Sequence, residues 1–214
     1  MSMVITYPLK SGLYVNLTNR CPCACRFCLR QNSPGVFGTE SLWLEREPTL
    51  EEAIASVDSH DLGAFAEIVF CGYGEPTERL DDLLAIARHV KKRRPGMLVR
   101  VNTNGLADLI HGEPTAHRLK GLVDTVSISL NTPDPEEYLE LCRPKFGLKS
   151  WQAMIDYAKS CREAVPDVVF TVVGAPVTSD EKLARCREIA ERLGVRLRVR
   201  PYETTGDGPA PAGR

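Results

Sequence analysis

Four of the chain's eight cysteines fall within eight positions, in the run Asn19-Arg20-Cys21-Pro22-Cys23-Ala24-Cys25-Arg26-Phe27-Cys28. Thiolates are soft ligands that suit zinc, copper(I) or iron–sulfur clusters, so count and spacing must choose among them. A structural zinc site takes four ligands, typically as two separated pairs. Cys25 and Cys28 form one such pair, but no second CxxC follows. A redox dithiol would use Cys25 and Cys28 and leave Cys21 without a task. Ordinary cubanes take four cysteines, so a C-x3-C-x2-C set at Cys21, Cys25 and Cys28 leaves one iron open to another ligand. Cys23 reads as a spare thiol directed away from such a centre, with a substitute ligand as the alternative. A non-catalytic zinc-binding module is the alternative from a different class.

These thiols need elements to position them. Strand-like runs recur at Leu13–Leu17, Glu67–Cys71, Met97–Asn102, Asp124–Leu130, Val168–Gly174 and Val195–Val199, with a shorter edge run at Val4–Tyr7. Most are rich in valine, isoleucine or leucine, as strands covered on both faces tend to be. Between them lie apolar helical stripes: Leu80, Leu83, Leu84 and Ala87; Trp151, Met154, Ile155 and Ala158; Leu183, Cys186, Ala190 and Leu193. Thr49-Leu50-Glu51-Glu52 and Thr178-Ser179-Asp180-Glu181 read as capping boxes, and Asp134 as an N-cap ahead of Pro135. Alternation of this kind argues for an α/β fold with a parallel sheet and right-handed crossovers. An eightfold barrel takes about 250 residues, so the expectation is a partial (βα)6 TIM-type barrel. A doubly wound open sheet is the alternative, because periodicity does not separate the two. In both, chemistry collects at the C-terminal ends of the strands, where the cysteine run falls.

The run resembles the radical S-adenosylmethionine (radical SAM) superfamily in its C-x3-C-x-aromatic-C signature, with Phe27 in the aromatic place. The resemblance implies the radical SAM core fold, a [4Fe–4S] cluster on Cys21, Cys25 and Cys28, and S-adenosylmethionine held at the open iron by its methionyl amino and carboxylate groups. It implies that one electron from the cluster breaks the sulfonium bond and yields a 5′-deoxyadenosyl radical, which abstracts hydrogen from a substrate. The segment Gly72-Tyr73-Gly74-Glu75 is similar to the family's glycine-glycine-glutamate motif, with Tyr73 departing from glycine; the implied role is to meet the methionyl amino group. Thr103 in Thr103-Asn104-Gly105 and Ser129 in Ser129-Leu130-Asn131 are implied contacts for the methionyl carboxylate or ribose, and Asn131 stands where an aspartate is common. Asn16-Leu17-Thr18-Asn19-Arg20-Cys21-Pro22, Cys28-Leu29-Arg30 and the segment from Tyr138 to Cys142-Arg143-Pro144 resemble the short TatD-associated members. An activase that installs a glycyl radical on a partner protein is the alternative within the class.

The remaining sequence bounds these expectations. Lysine plus arginine number 27 against 28 aspartate plus glutamate, a net charge of -1, which makes no global electrostatic case for nucleic acid or an anionic membrane. The expected partners are therefore a small-molecule substrate and an electron donor such as flavodoxin or ferredoxin, with no nucleic acid and no membrane. Without an apolar leader or a membrane-length apolar run, the expected location is cytoplasmic. Lys91-Lys92-Arg93-Arg94 reads as a solvated helix end. The expected domain is a radical SAM core over 1–203 with a flexible tail over 204–214. Asn32–Pro48 reads as a functional loop. Cys161, Cys186 and Cys71 read as buried apolar residues, Cys142 as core or radical relay, and Trp43 as a pocket or packing residue. His60, His89, His111 and His117 are not taken as metal ligands.

Overall fold

The computed structural model describes residues 3–31 and 41–202. The expected tail at 204–214, and positions 32–40 of the expected loop, lie outside the described residues. Strands β1 (Thr6–Leu9) and β2 (Gly12–Val15) form an antiparallel hairpin whose turn places Lys10 at φ 54. Five further strands follow: β3 (Glu67–Phe70), β4 (Leu98–Thr103), β5 (Thr125–Ser129), β6 (Asp167–Val173) and β7 (Arg196–Arg200). They line up in the order β1-β2-β3-β4-β5-β6-β7, and every pair after the hairpin is parallel.

That order decides between the two architectures left open by periodicity. A doubly wound sheet reverses its strand order once, so its helices cover both faces. Here the order never reverses, and right-handed crossovers then place all helices on one side. Those helices are α1 (Leu50–Asp58), α2 (Leu80–Arg93), α3 (Ala107–His111), α4 (Pro135–Cys142), α5 (Lys149–Ala164) and α6 (Asp180–Leu193). The sheet also curls. Arg198 on β7 interacts electrostatically with Glu67 on β3, which lies four strands away along the sheet. In a flat sheet that step would be about 19 Å.

Alternation along each strand separates two faces. Leu13, Val15, Ile68, Phe70, Val99, Val101, Val126, Ile128, Phe170 and Val172 pack under the helices in the main core. The opposite, concave face carries Tyr14, Glu67, Arg100, Asn102, Ser127, Ser129, Thr171, Arg198 and Arg200, the alternate positions of the same strands. The same face also holds Val69, Val169 and Val173, which are buried together with Ser127 and Thr171, so the central strands are covered on both faces, as their valine-rich runs imply.

Local signals explain most helix ends. Thr49 and Glu52 complete a reciprocal capping box, and Asp134 accepts from Glu136 N and Glu137 N ahead of Pro135. At α6 the cap is Ser179, accepting from Lys182 N, so the expected box at Thr178 does not form. Thr178 is buried instead and donates to Asn131 O at 3.3 Å. Cys161 and Cys186 are fully buried, as their helix stripes imply, whereas Cys71 at the end of β3 is half-buried. The basic run ends α2 with paired side chains: Lys91 meets Asp124 at 2.6 Å and Arg93 meets Asp58. Among the described residues no helix is long and apolar enough to cross a membrane.

Candidate functional site

The chain leaves β2 through Asn16, whose buried side chain donates to Val4 O at 3.2 Å and Leu42 O at 2.8 Å. Asn19 and Leu44 exchange hydrogen bonds at 2.7 and 3.1 Å, and Arg20 pairs with Glu47 at 2.7 Å. The cysteine loop that follows is held from two sides. Arg30 donates to Cys23 O at 2.9 Å and Tyr73 O at 3.4 Å, and Gln31 donates to Cys25 O at 2.7 Å. On the other side lies the end of α4. A helix leaves its last carbonyls without intrahelical partners. Here Ala24 N donates to Cys142 O at 3.0 Å and Arg26 N to Leu141 O at 2.9 Å. Arg143, at φ 47, turns the chain so that Pro144 pairs with Cys23 and Lys145 N reaches Pro22 O at 2.8 Å.

Within this frame the thiols face one another. Cys142 and Cys23 hydrogen-bond Cys25 and pull its thiol far below the ordinary range, and a bond from Cys23 also lowers the pKa of Cys21. The donors move the other way: Cys23 and Cys142 are held as thiols by those same bonds and by burial. Burial raises Cys28, which also feels Cys25 and Cys21. Asn131 Nδ2 donates to Cys142 Sγ at 3.3 Å, and its backbone sits in the left-handed region at φ 62. The expectation that Cys23 turns away is corrected, since its thiol lies between Cys21 and Cys25. An extended C-x-C-x-C stretch places alternate side chains on one side.

Among the described residues, no three His, Cys, Asp or Glu side chains converge as a single metal ion requires. A cubane gives each thiolate its own iron and needs no such convergence. Three half-buried soft donors on one loop, two of them with depressed pKa, fit that group.

The glycine–glutamate turn packs directly on this loop. A Cβ at Gly72 would fall 2.0 Å from Asn16 Oδ1, and one at Gly74 would fall 2.1 Å from Thr18 O. Both glycines are thus required by the chain's own close approach, a reason separate from the ligand approach anticipated from sequence. Tyr73 packs with Tyr7 and Leu42, and Trp43 meets its ring edge-on at 5.3 Å. Glu75 N donates to Arg20 O at 2.7 Å. The Glu75 carboxylate is 3% exposed and accepts from Thr77 N, Thr77 Oγ1, Thr103 Oγ1 and Asn104 N at 2.7–3.1 Å. Burial raises its pKa against those bonds.

The sequence candidates therefore separate by position. Cys21, Cys25, Cys28 and the 72–75 turn come together at the ends of β2 and β3. The Thr103 hydroxyl is engaged by Glu75 and by Gly105 N at 3.0 Å, on the helical side of β4. Ser129 lies on the concave face at the end of β5. Asn104 was missed as an individual residue. Its Nδ2 stands 3.9 Å from Cys21 Sγ, its N bonds Glu75 and its Oδ1 accepts from Leu106 N. The Thr-Asn-Gly segment carried the signal, but side-chain alternation at the strand end selects the neighbour of Thr103.

Successive βα units with a soft-donor loop and a glycine–acid turn at the strand ends define a cofactor-dependent α/β enzyme. The family model of the Radical SAM superfamily matches residues 15–190, and the chain belongs to that superfamily. It is an enzyme of the radical SAM class, whose cofactors are a [4Fe–4S] cluster and S-adenosylmethionine. A probable dual-specificity RNA methyltransferase RlmN of Rhodococcus erythropolis is 29% identical over 147 residues, covering 63% of this chain and 38% of that protein. Its counterpart in Mycolicibacterium vanbaalenii is 27% identical over 143 residues, covering 63% and 37%. The chain thus spans under two fifths of the length of these relatives. Streptococcus suis SuiB bound to S-adenosylmethionine shares the fold with a TM-score of 0.64 at 17% identity, over 90% of this chain and 38% of that one. A radical SAM methyltransferase from Sphaerobacter thermophilus does so with 0.57 at 20% identity, over 91% and 67%.

These relatives correct one expectation. A small-molecule substrate with no nucleic acid partner does not stand beside relatives named RNA methyltransferases. The physical reason is that a net charge of -1 is a sum over the whole chain and is silent about where its 27 cations lie.

Proposed function

We propose that Cys21, Cys25 and Cys28 hold the three ligated irons of a [4Fe–4S] cluster and that the enzyme modifies RNA, with methylation as the reaction class its relatives' names suggest. The supporting observation is the packing of the cysteine loop on the Gly72–Glu75 turn, through Glu75 N on Arg20 O and the Gly74 backbone on Thr18. When bound, the cluster and S-adenosylmethionine supply a 5′-deoxyadenosyl radical.

The chain's own groups supply position. Cys23 and Cys142 donate toward the ligand thiols and favour their deprotonated state, which metal binding needs. Asn104 presents an amide toward Cys21 Sγ. The 72–75 backbone, with Ser129 at the end of β5, orients the amino acid part of the cofactor. The Glu75 carboxylate fixes the turn against the end of β4 rather than acting as an acid or base, since four donors already hold it.

Anaerobic reconstitution tests the reading. The wild-type chain should bind about four iron and four sulfide, and should form 5′-deoxyadenosine from S-adenosylmethionine under a strong reductant. Added RNA should raise that rate and acquire label from the cofactor's methyl group. Serine at Cys21, Cys25 or Cys28 should remove cluster and product. Retention of a full, active cluster by any of the three variants would overturn the ligand assignment, and an RNA-independent rate without labelled RNA would overturn the substrate.

A further inference from the structure

The concave face holds four arginines, and two of them have acidic partners. Arg100 on β4 forms a two-point pair with Glu67 at 2.9 and 2.6 Å, and Arg196 on β7 meets Asp167 at 2.6 Å. Arg198 and Arg200 have no carboxylate within pairing distance among the described residues. Arg198 donates to Ser127 Oγ at 3.4 Å, and the buried Nε of Arg200 has no hydrogen-bond partner. Register places Arg198 beside Thr171 and, through β6, in line with Ser129; Arg200 lies one step nearer the strand ends, beside Val173. Arg198 feels the charge of Arg100, and Cys71, the residue before Gly72, feels that of Arg200.

Charges on an edge strand commonly serve only to discourage pairing with other strands. That purpose keeps a guanidinium in water, and it does not account for a donor on Arg200 withdrawn from solvent and left unsatisfied. A buried donor without an acceptor carries a cost that a bound anion removes. Two neighbouring guanidiniums also repel each other unless an anion lies between them, and the planar fork of arginine matches phosphate oxygens in pairs.

We propose that Arg198 and Arg200 form a phosphodiester-binding subsite on the concave face, which holds the RNA backbone beside the cofactor turn. The inference rests on the RNA reading above and adds where the strand is held.

The experiment uses the reconstituted holoenzyme and a fluorescein-labelled, mixed-sequence single-stranded RNA 12-mer, titrated by anisotropy across a salt series. Each phosphate contact to a single strand contributes ~0.7 to the slope of log affinity against log salt. R198Q/R200Q should lower that slope by about 1.4 and weaken binding at least tenfold. R198K/R200K should recover most of the slope, because lysine still offers a point charge. R196Q, which loses a cation already paired with Asp167, should bind like wild type. Unaltered cooperative unfolding of the glutamine variants guards against misfolding; if they do not fold, the lysine double variant is read against each single glutamine variant. The proposal is overturned if the slope is the same in wild type and R198Q/R200Q. It is also overturned if that variant loses affinity for S-adenosylmethionine alone, which would assign the arginines to the cofactor carboxylate. RNA-stimulated product with an arginine-independent slope would remove the subsite and keep RNA as substrate. An arginine-dependent slope without RNA stimulation or labelled RNA would support the subsite and remove RNA as the reaction partner.

Discussion

The two faces of the sheet are made from alternate residues of the same strands, yet they follow different rules. On the helical side, Ile68, Phe70, Val126, Ile128, Phe170 and Val172 are fully buried against apolar side chains. On the concave side, Arg100, Asn102, Ser127 and Arg198 are joined by directional bonds to one another's neighbours, and Arg198 and Arg200 keep donors in reserve. Burial of one face supplies free energy that lets the other carry charged and polar groups among its own buried valines, Val69, Val169 and Val173. A substitution should therefore be felt as stability on the first face and as binding on the second.

The largest expected effect lies under the helices. Phe170→Ala removes a fully buried ring and should cost about 3–5 kcal/mol in denaturant unfolding. A loss below about 1 kcal/mol would erase the contrast between the faces. Next comes Gly74→Ala, whose methyl group meets Thr18 O and Arg20 O, both main-chain atoms that cannot move independently of the cysteine loop. It should lower stability by about 1–3 kcal/mol and reduce the iron retained after anaerobic reconstitution; full iron content would show that the loop tolerates displacement. On the concave face, Arg100→Gln breaks the two-point pair with half-buried Glu67 and should cost about 1–2 kcal/mol, read by the same unfolding. Arg196→Gln should fall within about 0.5 kcal/mol, because its pair with Asp167 is exposed.

The sequence disclosed the helical face better than the concave one. Valine-rich runs located the six parallel strands to within about two residues, since burial under helices demands apolar side chains wherever the backbone turns them inward. Thr49 and Asp134 were legible as caps because their partners lie within a few residues of the same chain segment. Thr178 was misread because a distant carbonyl, Asn131 O, claimed its hydroxyl. The C-x3-C-x-aromatic-C pattern of Cys21, Cys25 and Cys28 carried the resemblance to the superfamily that the family model bears out. The place of Cys23 was not legible, because it depends on the extended path the loop takes along Cys142 and Pro144. The proposed phosphodiester subsite was hidden for a related reason: Arg198 and Arg200 lie nearly a hundred residues from Arg100, and only the fold brings their charges together.

The splice between the cysteine loop and the end of α4 has a consequence for how the enzyme is assembled. Three main-chain bonds, together with Arg30 and Gln31, hold the loop's path with groups that the polypeptide itself provides. Much of the entropy of shaping a ligand cradle is therefore met by folding, and the inorganic centre enters a scaffold already near its final form. Iron delivery then becomes a loading step on a finished protein, and chelation should strip the metal while leaving the melting transition nearly in place.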